Sequence, residues 1–515
     1  MTIVTRISLP FYIIIAGVSL GSLKIAEISA QGAERTLLKM ALEDSIRSFD
    51  PRQSVDANSQ YIEDLIHCSV MTYDAEGKVI PGVAASLPKW KNPKTLEVLL
   101  KEGIKYGDGS LLTAADVAAT YQSLVNDKGL ARSASFNQVT SVTAVNPKTV
   151  IFNLKEADAS FIGNLVLGIL PSKSASSSSY DPITTPGCGP FRIKSTDVNG
   201  LLLEENPFFT RPNKPHLKYI EVKIVKNEKT RFAKLQTGEL DLVQNSISRD
   251  AIKDIEKNGR NLTLLKRSGL KTTYIGFNIR DKLVGNPAVR QAIAFAIDRK
   301  EIIDLILGGM AVPALTMLPK ESPYYAGSLT QRPLDIAQAQ HILDQAGFTK
   351  KGEYRFELSY KTTTDITRIS IAKAIASQLK KIGIKVTIEP MEWGRFKQDV
   401  DAGRVQMWSL TWVGFKDPDI YRHAFASTSF PPNGGNRGWY SNPQLDNLLE
   451  QGKLTNDAGQ RTKIYQEVQS IIDKALPYIF LWHEDNFAVI NRHLKGFYLF
   501  ADGRYSSLTQ AFFEE

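Results

Sequence analysis

Cysteine is nearly absent from this 515-residue chain: Cys68 and Cys188 are the only two. That scarcity excludes a disulfide-dense scaffold, and their separation excludes the paired spacing of a zinc site. In an oxidising compartment the two could close a long loop. Cys68, however, lies in an apolar, helix-like stretch and Cys188 in a Gly-Cys-Gly-Pro turn, surroundings that favour two separate thiols. Histidine is also scarce, with six scattered residues and no His-Glu-x-x-His, and no Gly-x-Ser-x-Gly elbow is present. These absences argue against zinc-peptidase and serine-hydrolase chemistry and imply no cofactor or catalytic metal. Beyond the N-terminus no apolar run is long enough to span a bilayer. Lys and Arg outnumber Asp and Glu by 63 to 54, a net charge of +9. They are interspersed along the chain, so the excess reads as a solvated basic surface rather than a nucleic-acid footprint.

What is present starts with Arg6, an apolar run from Ile7 to Leu23 and the small residues Ser29-Ala30, the order of a secretory signal peptide. Cleavage is expected near Ala30. With no Cys close behind the apolar run to carry a lipid, the mature protein is expected to be soluble beyond the inner membrane. A hydrophobic content of 43% is ordinary for a globular chain, and this length suits two or three domains.

Local patterns predict α/β structure throughout. A strand covers Arg35 to Leu42, and a helix covers Ser59 to Met71. Thr113-Ala-Ala-Asp116 is a helix-start box. Ser172 to Pro182 is a serine-rich exposed connection. Asn199-Gly200 turns a hairpin between Phe191–Ile193 and Leu201–Glu204. A third module opens beyond Thr272 with the strand TYIGFNI. It continues through one helix from Pro287 to Leu307, a helix from Asp335 to Ala346, and a βαβ unit running from FELSY to IKVTIEP. A helix from Arg461 to Ala475 stops at Pro477, and YIFLWHEDNFAVIN returns as strands.

Eight segments in register give the chain a family resemblance: SFDP at Ser48; PGVAASLPKW with LLKEGIKYGDGSLLTAADV; TPGCGPFRI; TRFAKLQTGELDLV; YIGFNI; NPAVRQAIAFAIDRKEII; LKKIGIKVTIEPMEWGRF; and the loop at Trp412. In this order they resemble the family 5 solute-binding proteins of ABC importers. The resemblance implies a bilobal periplasmic-binding-protein-like α/β fold (type II, cluster C) with an extra inserted domain. It places a signal peptide at 1–30, a first domain in segments 31–70, 186–271 and 479–515, an inserted second domain at 71–185, and a third domain, the second lobe, at 272–478. It also implies a periplasmic monomer that closes on a small-molecule or peptide solute and docks on the ABC permease subunits of the inner membrane.

The loop from Trp412 to Asp419, running on through Tyr421, is rich in aromatics, acids, Gly and Pro and reads as ligand-facing. In peptide-binding relatives an Asp three residues after this Trp takes the peptide ammonium. Here that position is Phe415, so the resemblance leaves either Asp417 or Asp419 as a replacement anchor or a solute with no free amine there, with Asp417 as a helix cap before Pro418 the competing role. Trp412 and Trp439 are cleft candidates by virtue of their loop positions, and Trp393 joins them in a tryptophan-rich last quarter. Arg368, after KTTTD, and Arg437, in NGGNRGWY, offer guanidinium forks to a carboxylate. Trp408 and Trp482 lie in strands and are expected in the core.

Overall fold

The two longest strands, Leu262–Phe277 and Tyr478–Asn491, pair antiparallel along nearly their whole length. Both are dense in Thr, Val, Ile and aromatic residues, which suit a pleated, half-buried surface. The computed structural model describes residues 35–177, 179–209, 214–259 and 261–514; the expected signal segment 1–30 and its cleavage point lie outside them. Residues 36–515 form one compact unit.

The long pair stands at the centre of an eleven-stranded sheet. On one side follow Met407–Trp412, Phe356–Thr363 and Ile384–Met391. On the other follow Leu242–Gln244, Leu37–Leu42, Tyr219–Ile224, Gly200–Glu205 and Phe191–Asp197, and the eleventh, Ala311–Pro313, pairs with Tyr478–Asn491 off this path. The pairing shifts register between Ser268 and Lys271, so Ser268 faces Asp485 and Lys271 faces Glu484. Sequence reading starts the first of these strands at Thr273, but the strand begins at Leu262, because the bulge beside Gly269 interrupts the periodicity without ending the pairing.

The βαβ unit is present: Phe356–Thr363 and Ile384–Met391 are parallel neighbours joined by the helix Ile366–Lys380. The Asn199-Gly200 hairpin and the Thr113 helix start also form, the latter with the Thr113 amide donating to Asp116 Oδ2 at 2.8 Å. The expected single helix from Pro287 to Leu307 is two, Pro287–Ala296 and Arg299–Leu305. Asp298 breaks it, because its side chain accepts from the Glu301 amide and caps a new helix. The serine-rich stretch from Ser172 is not simply exposed: it contains the short helix Ser172–Ala175, and the buried Arg52 donates to the Ala175 carbonyl at 2.7 Å.

A second, four-stranded sheet orders Lys89–Asn92, Thr95–Leu99, Thr149–Leu154 and Val139–Asn146. It packs with the helix Ala114–Asn126 around a separate apolar core in which Tyr121 meets Phe136 and Phe152 edge-on. Cys68 and Cys188 flank this substructure in sequence and are joined by a disulfide, which overturns the expectation of two separate thiols. The helix before Cys68 ends at Ile66, leaving the cysteine in extended chain. Gly187 lets the opposing turn lie against the Ile66 backbone, where a Cβ would sit 1.9 Å from the Ile66 carbonyl oxygen.

The bond closes a 120-residue loop, so removing it enlarges the unfolded ensemble. Replacing both cysteines with serine is expected to cost about 2–4 kcal/mol, read by urea unfolding. Dithiothreitol should lower the wild-type midpoint and leave that of the double variant unmoved.

Candidate functional site

Two cavities share Thr411 in their lining, near the end of the strand Met407–Trp412. The larger, of about 760 Å³, gathers charge of both signs from well-separated segments: Arg249, Lys253, Lys271 and Arg368 against Asp250, Asp365, Glu484 and Asp485. Helix starts help to build it. Ser248 caps the helix Arg249–Asn258, and Asp365 caps Ile366–Lys380 by accepting from the Arg368 amide at 2.9 Å. On the sheet, Thr273 Oγ1 lies 2.8 Å from Thr411 Oγ1 and donates to Glu484 Oε1 at 3.1 Å, while Arg368 Nη2 reaches Thr411 Oγ1 at 3.4 Å. Burial lowers the Arg249 guanidinium, against the pull of Glu484 and Asp365, and raises the Asp485 carboxyl.

The smaller cavity, of about 260 Å³, is aromatic. Trp412, Trp393 and Tyr274 line it together with Arg437 and Lys397. Tyr274 stacks on Tyr478 with ring centroids 4.0 Å apart, and the Arg437 guanidinium stands 5.4 Å from the Trp412 ring centroid. Arg437 is oriented by Asp401, whose carboxylate accepts from Nε at 2.8 Å. Trp412 fits only because residue 435 is glycine: a Cβ there would lie 2.7 Å from the Trp412 ring and equally close to His423.

Of the residues expected at the site, Trp412, Trp393 and Arg437 line the aromatic cavity and Arg368 the charged one. Trp439 lines neither; it stacks on Phe430 and lies 3.8 Å beneath the Arg280 guanidinium. Phe415 is a core residue, as is the fully buried Tyr421, whose hydroxyl meets Thr316 at 2.5 Å. The replacement acids already have partners. Asp417 takes both terminal nitrogens of Arg461, at 2.8 and 2.6 Å, and accepts from the Asp419 amide at the head of the helix Ile420–Phe425, so pairing and capping coexist. Asp419 takes the Arg422 fork and the Tyr465 hydroxyl, with burial raising its carboxyl against the pull of Arg422. Trp408 and Trp482 are buried as expected, although Trp482 also borders the charged cavity. Sequence reading missed Tyr274, Lys397, Arg249, Lys271 and Glu484. The one local signal among these was the Glu484-Asp485 pair, set inside a strand otherwise rich in aromatic and apolar residues.

The loop between Phe415 and Asp417 turns its lysine elsewhere. Lys416 Nζ lies 2.7 Å from Asp502 and 3.8 Å from the Tyr73 ring centroid, and Arg504 joins Asp502 at 2.8 Å and Asp64 at 3.3 Å. Two acids thus meet two cations in a largely enclosed cluster, and this loop is tied to chain segments far from it in sequence.

Residues 78–432 match the family model described as bacterial extracellular solute-binding proteins, family 5 Middle. The chain belongs to this family. Its members bind solutes outside the cytoplasm, and among the described residues no helix is long and apolar enough to cross a membrane. The glutathione-binding protein GsiB of Shigella boydii serotype 4 (strain Sb227) is 27% identical over 483 residues, which cover 91% of this chain and 93% of that protein. HbpA2 from Haemophilus parasuis superposes with a TM-score of 0.83 at 22% identity, covering 93% of this chain and 100% of its own. The oligopeptide-binding protein AppA from Bacillus subtilis, in complex with a nonapeptide, gives 0.70 at 24% identity, over 94% and 99% of the two chains. The fold is the bilobal α/β fold of this family.

Burial would raise the Asp502 carboxyl, but Arg504 and Lys416 more than offset it and hold it at about 2. A carboxyl depressed below its unfolded value of about 3.9 contributes stability above that pH, and the contribution is lost as pH falls through the folded value. Asp502→Asn is therefore expected to lower stability near pH 7 by about 2 kcal/mol. In thermal melts across pH, its gap from wild type should narrow below about pH 4 and close near pH 2.

Proposed function

We propose that this chain is the substrate-binding component of an ABC import system, capturing a short peptide between two closing lobes and delivering it to a membrane permease. The observation that carries the reading is the charged cavity of about 760 Å³, whose four cations and four carboxylates suit a solute bearing both an ammonium and a carboxylate. The adjoining aromatic cavity offers contact area for a side chain without reading its identity. Similarity to glutathione-binding proteins and to a peptide-bound oligopeptide receptor supports a peptide-sized ligand. Closure about the register shift at Ser268 and Lys271 would bring the walls of the charged cavity together on the solute.

The role is binding without turnover. Among the described residues, neither cavity is lined by a histidine or cysteine, and the Thr273 and Thr411 hydroxyls are committed to each other and to Glu484. The working form is a monomer, exported behind a signal peptide cleaved near Ala30.

Calorimetry of the mature protein with glutathione and with a panel of tri- to pentapeptides tests this reading. Micromolar or tighter binding of at least one is expected. Arg368→Ala and Trp412→Ala should each weaken it by about ten- to a hundredfold with unfolding midpoints near wild type. Unchanged affinity in both variants would remove these cavities from the binding site, and sustained hydrolysis of a bound peptide would overturn the non-catalytic role.

A further inference from the structure

The aromatic cavity carries an imbalance that a general peptide cleft does not need. Its ten lining residues include two cations, Arg437 and Lys397, and no carboxylate. The nearest acid, Asp401, lies behind them and is shared: it accepts from Arg437 Nε and pairs with Lys397. Asp401 thus fixes the guanidinium edge-on through Nε, beside the Tyr274 hydroxyl. Around it stand further donors. Tyr274 Oη, Trp412 Nε1 and, behind them, Tyr478 Oη are buried without a well-formed hydrogen bond, although Trp412 stands near enough to Tyr478 to affect its hydroxyl. The Tyr478 phenol, the Trp408 indole and the Arg437 guanidinium stand near enough to affect the Tyr274 hydroxyl without satisfying it. Buried polar groups of folded proteins are ordinarily paired, and an indole N–H can pair only with an acceptor.

We propose that this cavity is a carboxylate subsite, in which the terminal nitrogens of Arg437, helped by Lys397, Tyr274 Oη and Trp412 Nε1, take an acidic group of the solute. The inference rests on the reading that these two cavities, which share Thr411, hold the solute, and it deepens that reading by inverting the charge expected near the Trp412 loop. An acid on this loop would hold an ammonium, but position 415 is a buried phenylalanine, and Asp417 and Asp419 are neutralised by Arg461 and Arg422. A free ammonium entering here would meet two cations with no facing carboxylate. A carboxylate would meet a preset guanidinium fork and convert idle donors into charge-assisted hydrogen bonds. The solute's ammonium then falls in the charged cavity, where Asp365, Glu484 and Asp485 supply acids.

Calorimetry with trialanine and its N-acetyl and N-succinyl derivatives separates the possibilities, because the three place an ammonium, a neutral amide and a carboxylate at one end of the same peptide. N-succinyl-trialanine is expected to bind at least about tenfold more tightly than either of the others. Arg437→Gln should abolish that preference and Arg437→Lys should keep part of it. Tyr274→Phe, which removes only the hydroxyl, should reduce it about threefold or more with an unchanged unfolding midpoint. Equal or tighter binding of free trialanine, or a preference that survives both Arg437→Gln and Tyr274→Phe, overturns the subsite. If none of the three peptides binds, tryptophan fluorescence during a glutarate titration decides. A saturable change lost in Arg437→Gln supports the carboxylate subsite and condemns only the peptide reading, whereas no change in the wild type overturns the subsite as well.

Discussion

The antiparallel pairing of Leu262–Phe277 with Tyr478–Asn491 is the interaction on which the rest of the molecule depends. Each strand runs through both halves of the large sheet, so a single ladder of backbone hydrogen bonds sets the position of every strand outside it. The separate apolar clusters on either side would otherwise be independent bodies. The irregularity between Ser268 and Lys271 lies within this ladder, where Lys271 and Glu484 reach the charged cavity. The same defect that relaxes the sheet therefore also delivers polar side chains, a combination common where strands must bend.

Charge is distributed around the Trp412 loop in two opposite ways. Within the loop every ionised group is answered by the protein itself: Lys416 by Asp502, Asp417 by Arg461, Asp419 by Arg422. Those pairs hold the loop in one shape and leave its acids little attraction to spare for a solute. In the adjoining cavity the cations outnumber their acid, and the aromatic donors are unanswered. A folded chain seldom leaves such groups idle in its interior, and the contrast between a saturated loop and an unsaturated wall locates where recognition is concentrated.

Legibility from sequence followed the range of the physics involved. Short-range chemistry was readable: the Asn199-Gly200 turn, the Thr113–Asp116 helix start and the βαβ unit all depend on neighbours a few residues apart. Asp298 was missed as a helix breaker, because an aspartate inside an amphipathic run looks the same whether it faces solvent or caps a new turn. The disulfide was missed because contact between residues 68 and 188 depends on a glycine-permitted approach of two backbones, which local composition does not report. At the site, Trp412, Trp393 and Arg437 stood out as aromatics and a cation in loop-rich sequence. Arg249 and Lys271 did not, since a polar residue in a strand or at a helix start is unremarkable until the sheet brings the segments together. Phe415 and Tyr421 shared the loop's composition yet turned inward, which the register of one irregular segment cannot foretell.

The absence of a side chain at Gly435 reaches beyond its own turn. Because the Trp412 ring and His423 occupy the space a Cβ would need, positions 412 and 435 are not free to change independently. A smaller residue at 412 would lift one of the two contacts on 435 and leave that of His423, and any larger residue at 435 would demand a retreat at both 412 and 423. Diversification of this pocket is therefore expected to proceed by linked replacement, with the glycine lost only in chains that have first given up both the tryptophan and the histidine.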